Sequence, residues 1–188
     1  MKKTIFVFLS VILLFALLSA CGSQPNSTAE EEEINGNSFA DLNNFTAQTA
    51  DGGEFSEKDF AGKEITMINI WSTTCPPCID EMPELAELQR NLPDNVQLIT
   101  WCLDGAYATE EMQNILEETG FDGVTLTAGD GDLMVLYRQL QYTPTTVFLD
   151  EEGNMVGEAM IGSPQDAQQA YLEAINAALT QLGKPVIS

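Results

Sequence analysis

Two stretches of this chain are apolar at nearly every position and rich in β-favouring residues: Ile65 to Trp71 and Val96 to Leu103. Neither alternates polar with apolar, so each predicts a strand covered on both sides. Shorter runs at Val124 to Thr127, Thr145 to Leu149 and Met155 to Ile161 predict further strands, the last two joined by the turn Glu151-Glu152-Gly153-Asn154. Before them, Phe45-Thr46-Ala47 and Phe55 bracket Asp51-Gly52-Gly53, the pattern of a hairpin.

Helical spacing fills the intervals. One helix is predicted to start near Pro76. A second covers Glu110 to Thr119, with Thr109 as its cap, acids in its first turn and Gly120 past its end. A short third spans Leu133 to Leu140. In the last, capped by Ser163 with Pro164 at its first position, Ala167, Ala170, Tyr171, Ala174, Ile175, Ala178 and Leu182 repeat on one face. A hairpin followed by alternating strands and helices predicts an α/β fold: a central mixed sheet, helices on both faces, and an added N-terminal β-hairpin.

The chain outside this pattern carries an address. Lys2 and Lys3 precede the apolar run Ile5 to Leu18. At about 14 residues that run is short for a membrane span and reads as a secretory signal. Leu18-Ser19-Ala20-Cys21 resembles a bacterial lipobox, which implies cleavage before Cys21 and lipidation of its thiol. From Gly22 to Ser38 there is little to bury, and Glu30 to Glu33 form an acidic run, as in a solvated tether. The expected division is a signal peptide at 1–20, lipidated Cys21 and tether at 21–38, and one domain at 39–188.

Seven Lys and Arg face 29 Asp and Glu, a formal net charge of −22, and removal of Lys2 and Lys3 deepens it. No basic patch exists for nucleic acid, and anionic lipid would repel the surface, so attachment falls to the lipid. With no histidine, Ser-His, Cys-His and His-metal chemistry are all excluded.

Four cysteines remain to be placed: Cys21, Cys75, Cys78 and Cys102. A single Cys-x-x-Cys in an exported chain points to redox work rather than to a disulfide scaffold. Cys75 falls where a buried strand gives way to a helix, at the N-cap, where free backbone N–H groups and the helix dipole stabilise a thiolate. Pro76 takes the first helical position at no cost. Cys78, nearly one turn on, is within bridging reach. Cys75 is then the attacking sulfur and Cys78 the shielded one that resolves the mixed disulfide. A structural disulfide and a thiol metal site leaning on Cys102 or Met are the bland alternatives.

Residues 78, 81, 85 and 88 share a helix face. Glu81 therefore sits on the apolar stripe in line with Cys78, where burial raises a carboxyl pKa and fits it to relay protons. Pro144 opens an apolar β-run in which a trans proline would disrupt a central strand; a cis Thr143–Pro144 bond resolves this. Pro83 is expected to kink its helix, and Cys102, beside Trp101, reads as a core thiol.

Trp71-Ser72-Thr73-Thr74-Cys75-Pro76-Pro77-Cys78, with Glu81 and Pro83, resembles the active site of the TlpA/ResA-type thioredoxin-like proteins, Trp-x-x-Trp-Cys-x-Pro-Cys followed by Glu-x-Pro. Tyr142 to Asp150 resembles that family's cis-proline loop and strand, and Phe45 to Lys63 its leading hairpin. The resemblance implies an extracytoplasmic, lipid-anchored thiol–disulfide oxidoreductase acting as a monomer, with no cofactor beyond the Cys75–Cys78 disulfide. It further implies that Trp71, Pro76, Pro77, Thr143 and Pro144 face substrate. Electrons come from a membrane thiol carrier of the CcdA/DsbD-like kind and pass to exported proteins, such as apocytochrome c or a methionine sulfoxide reductase. One position departs: Thr74 stands where the family has its second Trp, which opens the groove beside Cys75. A peroxiredoxin-like thiol peroxidase is a rival, since Ser72 lies three residues before Cys75, although the proline of that motif is missing. A non-catalytic thiol metal-binding lipoprotein is another.

Overall fold

A computed structural model describes residues 39–188. The expected signal peptide, tether and lipidated Cys21 lie outside the described residues. Seven strands form one sheet: β1 (Thr46–Thr49), β2 (Glu54–Ser56), β3 (Ile65–Trp71), β4 (Val96–Cys102), β5 (Thr125–Gly129), β6 (Thr145–Leu149) and β7 (Met160–Ile161). The order across the sheet is β2-β1-β5-β4-β3-β6-β7. Four α-helices accompany them: α1 (Pro76–Asn91), α2 (Thr109–Thr119), α3 (Asp132–Gln139) and α4 (Ala167–Gln181).

The two all-apolar runs lie side by side at the centre. β3 and β4 pair in parallel from Ile65 opposite Val96 to Trp71 opposite Cys102, and β6 pairs antiparallel on the far side of β3. The sheet is thus mixed, as expected. Successive β3 residues serve two separate cores. Ile65, Met67 and Trp71 meet α1, α2 and α4, whereas Ile68 and Ile70 meet Leu133 and Leu136 of α3 and the aromatic group Phe45, Phe55 and Phe60. Those three rings stand with centroids 5.6 to 6.3 Å apart. The hairpin β1–β2 extends the sheet through β5 and carries this aromatic cover, ending in a short 3₁₀ turn at Glu57–Phe60.

Several expected boundaries move. α4 begins at Ala167 rather than after Ser163, because Asp166 supplies the cap, accepting from the Gln169 amide. The N-cap of α2 is Ala108; Thr109 is inside the helix and its hydroxyl donates to the Gly105 carbonyl. Gly120 does end α2, with φ 71°. The strand expected from Met155 to Ile161 shrinks to Met160–Ile161 plus a single bridge between Leu149 and Met155, since Gly157 turns left-handed (φ 72°) in between. α1 runs on through Pro83 as one helix.

Candidate active site

β3 ends at Trp71, Ser72–Thr74 turn, and Cys75 stands at the N-cap of α1 in extended conformation. Its carbonyl accepts from the amides of Cys78 and Ile79, both at 3.1 Å, which starts the helix. Pro76 and Pro77 follow, exposed and without N–H groups. Cys75 and Cys78 are joined as a disulfide, with Cα atoms 5.3 Å apart. Cys75 retains 8% of its surface and Cys78 1%, so the asymmetry needed for attack and resolution is present.

Three elements surround the pair. The Thr143–Pro144 peptide is cis, and the Thr143 carbonyl oxygen lies 3.5 Å from Cys75 Sγ. A disulfide sulfur has no proton, so that contact becomes a hydrogen bond only when Cys75 is a thiol. From the end of β4, Asp104 accepts from the Thr73 amide and hydroxyl, and Cys102 Sγ donates to it at 3.2 Å. Burial, with the Asp104 carboxylate beside it, pushes the Cys102 thiol far above its ordinary range, so Cys102 stays protonated.

Under Cys78, one turn along α1, Glu81 is 2% exposed and enclosed by neutral groups. Asn69 Nδ2 donates to its Oε1 at 2.8 Å, and the Tyr171 hydroxyl lies 3.2 Å from each carboxyl oxygen. Thr146 Oγ1 ties the two donors together, 3.0 Å from Asn69 Nδ2 and 3.3 Å from the Tyr171 oxygen. Burial raises the Glu81 pKa; hydrogen bonds from Ser163, Asn69 and Tyr171 pull against it, and Glu84 adds to the rise. Burial, then the Glu81 charge, raises Tyr171 in turn, so it remains a donor. Among the described residues the one ion pair is Lys184–Glu64, so no cation offsets the Glu81 charge.

The structure therefore brings together Cys75, Cys78, Glu81, Thr143 and Pro144. It corrects one expectation: Trp71, placed among substrate-facing residues, is fully buried in the core cluster that holds Cys75 and Cys78, and supports the pair from within. Asn69, Thr146, Tyr171 and Asp104 were not singled out by sequence. Asn69 had a signal, as the one amide in a strand buried on both faces, where a polar side chain requires a partner. The others sit at ordinary core or loop positions. Among the described residues, no group of three or more Cys, Asp or Glu side chains is placed to ligate a metal ion.

This geometry supports reversible exchange. A Cys75 thiolate attacks a disulfide sulfur of the client and expels one client thiolate; Cys78 then attacks Cys75 Sγ and expels the second. In that direction two electrons go to the client and the protein returns to the Cys75–Cys78 disulfide; run backwards, the same steps oxidise a client dithiol. The cysteine pair is itself the redox group.

Comparison with known proteins agrees. The sequence model of the AhpC/TSA family matches residues 40–157. Thioredoxin-like protein YneN of Bacillus subtilis is 27% identical over 146 residues, covering 78% of this chain and 85% of its own. Thiol-disulfide oxidoreductase ResA of Bacillus thuringiensis subsp. konkukian is 27% identical over 179 residues, covering 93% and 99%. The crystal structure of StoA from Bacillus subtilis superimposes with a TM-score of 0.56 at 23% identity, over 70% of this chain and 96% of StoA. The fold is thioredoxin-like, and the chain belongs to the AhpC/TSA family, within which it is a thiol–disulfide oxidoreductase working through Cys75 and Cys78.

Proposed function

We infer that this protein is a reductant of disulfides in exported proteins, held to the outer side of a bacterial membrane by lipid on Cys21 and recharged there by a membrane thiol carrier. The observation that carries the reducing direction is that the helix N-terminus at Cys75 is the one source of thiolate stabilisation at the pair, with no basic side chain from the framing segments to reinforce it. A dithiol is oxidising when its reduced, thiolate form is strongly stabilised. Here Pro76 and Pro77 remove two donors beside the sulfurs. Lys58, Lys63, Arg90, Arg138 and Lys184 all lie outside the segments that frame the site, 71–83, 102–108 and 142–146. Glu81 adds a carboxylate one turn below Cys78. Each feature works against the stabilisation that the helix N-terminus gives the Cys75 thiolate, and so lowers the potential.

In this reading Glu81 takes the proton from the buried Cys78 thiol as Cys78 turns nucleophile, and returns it when the disulfide is reduced again. Thr143 offers its carbonyl, and Pro144 the surface beside Cys75, to the client backbone. Exposed Thr74 leaves that side of the groove open. The lipobox-like Leu18-Ser19-Ala20-Cys21 supports the anchor, and the charge of −22 supports attachment by lipid rather than by the protein surface.

The deciding experiment is the reduction potential of the Cys75–Cys78 couple, combined with trapping through Cys78→Ala. A potential nearer the ~−270 mV of thioredoxin than the ~−120 mV of DsbA is expected, with exported proteins held on Cys75 as mixed disulfides. A value near the latter reverses the direction. Loss of membrane attachment in Cys21→Ala tests the anchor. The AhpC/TSA match keeps a thiol peroxidase in view as a second reading; peroxide consumption by the reduced protein separates the two.

A further inference from the structure

Three of the four tyrosines are exposed, Tyr107 (94%), Tyr142 (66%) and Tyr137; only Tyr171 is buried. Single exposed apolar side chains need no explanation, but a group of them does. These stand at the end of the sheet that carries Cys75. Tyr142 precedes Thr143, whose carbonyl oxygen lies 3.5 Å from Cys75 Sγ, and its own carbonyl accepts from the Thr145 hydroxyl at 2.8 Å. Ile161, also exposed, pairs with Thr145 at the start of β6, and the Tyr137 ring lies beside Trp101 near the end of β4.

Tyr107 approaches the site from another loop. The Leu103 amide donates to the Trp71 carbonyl at 2.9 Å, and Asp104 holds Thr73, so residues 103–108 lie against the segment that leads to Cys75. The amides of Tyr107 and Ala108 both donate to the Asp104 carbonyl, and the Thr109 hydroxyl donates to the Gly105 carbonyl. Gly105 packs so closely that a Cβ there would stand 2.7 Å from the Met112 sulfur. The backbone is thus fixed, while the ring it carries is bare. A ring presented on a fixed backbone loses little entropy when a partner covers it. Thr74, small and exposed, leaves the groove open on this side.

Charge separates the two walls. Beyond Tyr107, Glu110 and Glu111 are exposed in the first turn of α2, and no Lys or Arg occurs anywhere from 91 to 137. On the other wall the exposed Arg138 follows Tyr137 and lies four residues before Tyr142. An aromatic face with carboxylates nearby and no competing cation attracts a basic side chain, whose methylene stem can lie along the ring. We propose that Tyr107 is a specificity-determining residue of the exchange reaction, its ring receiving a lysine or arginine next to the client's cysteine, with Glu110 and Glu111 drawing that cation in. This rests on the reading of the protein as an exchanger of client disulfides, and it holds for either direction of electron flow. A client backbone laid extended past Thr143 and Cys75 brings a residue adjacent to its cysteine to the Tyr107 wall.

The test uses the reduced parent protein and disulfide-linked dimers of a single-cysteine peptide, in which the two sulfurs are equivalent. Two peptides of one composition are compared, with their one arginine either next to the cysteine or at the far end. Long-range attraction by the acidic protein acts on both alike, because their net charge is the same. The second-order rate constant is expected to be about two- to fivefold higher for the adjacent arginine. Tyr107→Ala brings that ratio to one, Tyr107→Phe keeps it, and Glu110→Gln with Glu111→Gln lowers it. Equal rates for the two dimers in the parent overturn the proposal, as does a ratio that survives Tyr107→Ala. A ratio lost equally in Tyr107→Phe assigns the contact to the hydroxyl and overturns the ring-face contact. If neither dimer is reduced faster than by free glutathione, the exchange reading itself falls, and this inference with it.

Discussion

Asp104 grips Thr73 with both carboxylate oxygens, one accepting from the backbone amide at 3.0 Å and the other from the hydroxyl at 2.7 Å. Thr73 lies two residues before Cys75, and Asp104 two residues beyond the end of β4, so this clamp ties the active-site turn to the neighbouring central strand. Burial alone pushes the Asp104 carboxyl up, but the bonds from Thr73 and Cys102 outweigh it and hold the pKa below its ordinary value. An acid held low adds stability at neutral pH that is lost as pH falls through the folded-state value. Asp104→Ala is expected to lower stability by about 1–3 kcal/mol, to slow attack by Cys75, and to do progressively less harm once pH drops below 3.8. Urea midpoints across pH and single-turnover exchange measure the two effects. Full stability at pH 7 would remove the clamp from the account.

Cys102 also touches Asp104, and it stands outside the disulfide as a free thiol. It is fully buried and its thiol is held protonated by burial and by that carboxylate. Only a thiolate reacts well with alkylating agents. Brief iodoacetamide treatment of the reduced native protein should therefore label Cys75 first and leave Cys102 free until the protein is unfolded. Mass mapping of the labelled peptides checks this. Labelling of Cys102 at the rate of Cys75 would make it a third redox thiol.

On the opposite face of the sheet, Phe60 is fully buried against Phe45 and Phe55. Phe60→Ala leaves a cavity that costs about 3–5 kcal/mol. Because α1 packs on the other side of β3, the reduction potential should stay that of the parent. A large stability loss with a constant potential is the expected pair of results; a shifted potential would mean the two cores are coupled through β3.

The central strands, the order of elements, the cysteine pair and the cis proline were legible because each leaves a local mark. Ile65 to Trp71 has no polar face, and Cys75 falls where a β-run meets a helix-starting proline. Glu81 was legible by helical spacing alone. What surrounds it was not: Asn69, Thr146 and Tyr171 come from β3, β6 and α4, up to 102 residues apart in the chain, and meet only when the sheet is assembled. Trp71 misled for a related reason. Its place in a motif says nothing about which way its side chain points, and odd positions of β3 point beneath α1. The cap of α4 was misplaced because Ser163-Pro164 offers a good helix start that Asp166 supplies better three residues later.

Burial raises the Glu81 pKa above 4.5 in the folded protein, and that has a consequence separate from catalysis. When the folded-state pKa of an acid lies above its unfolded value, the folded chain binds the proton more tightly. Its stability is then greatest below the unfolded value, falls as pH rises between the two, and stays reduced above the folded one. Above the unfolded value, at neutral pH included, Glu81 is therefore a cost to the fold, only partly offset by the hydrogen bonds from Ser163, Asn69 and Tyr171. Gln at this position keeps the shape and an acceptor for Asn69 without the charge. Oxidised Glu81→Gln should be more stable than the parent at pH 7 to 8, should lose that advantage near pH 4, and should show a flatter profile of urea midpoint against pH. The same variant is expected to exchange disulfides more slowly. A residue that costs stability when charged and speed when neutralised is held in the core for its chemistry; a variant less stable than the parent at neutral pH would instead make Glu81 a structural hydrogen-bond acceptor.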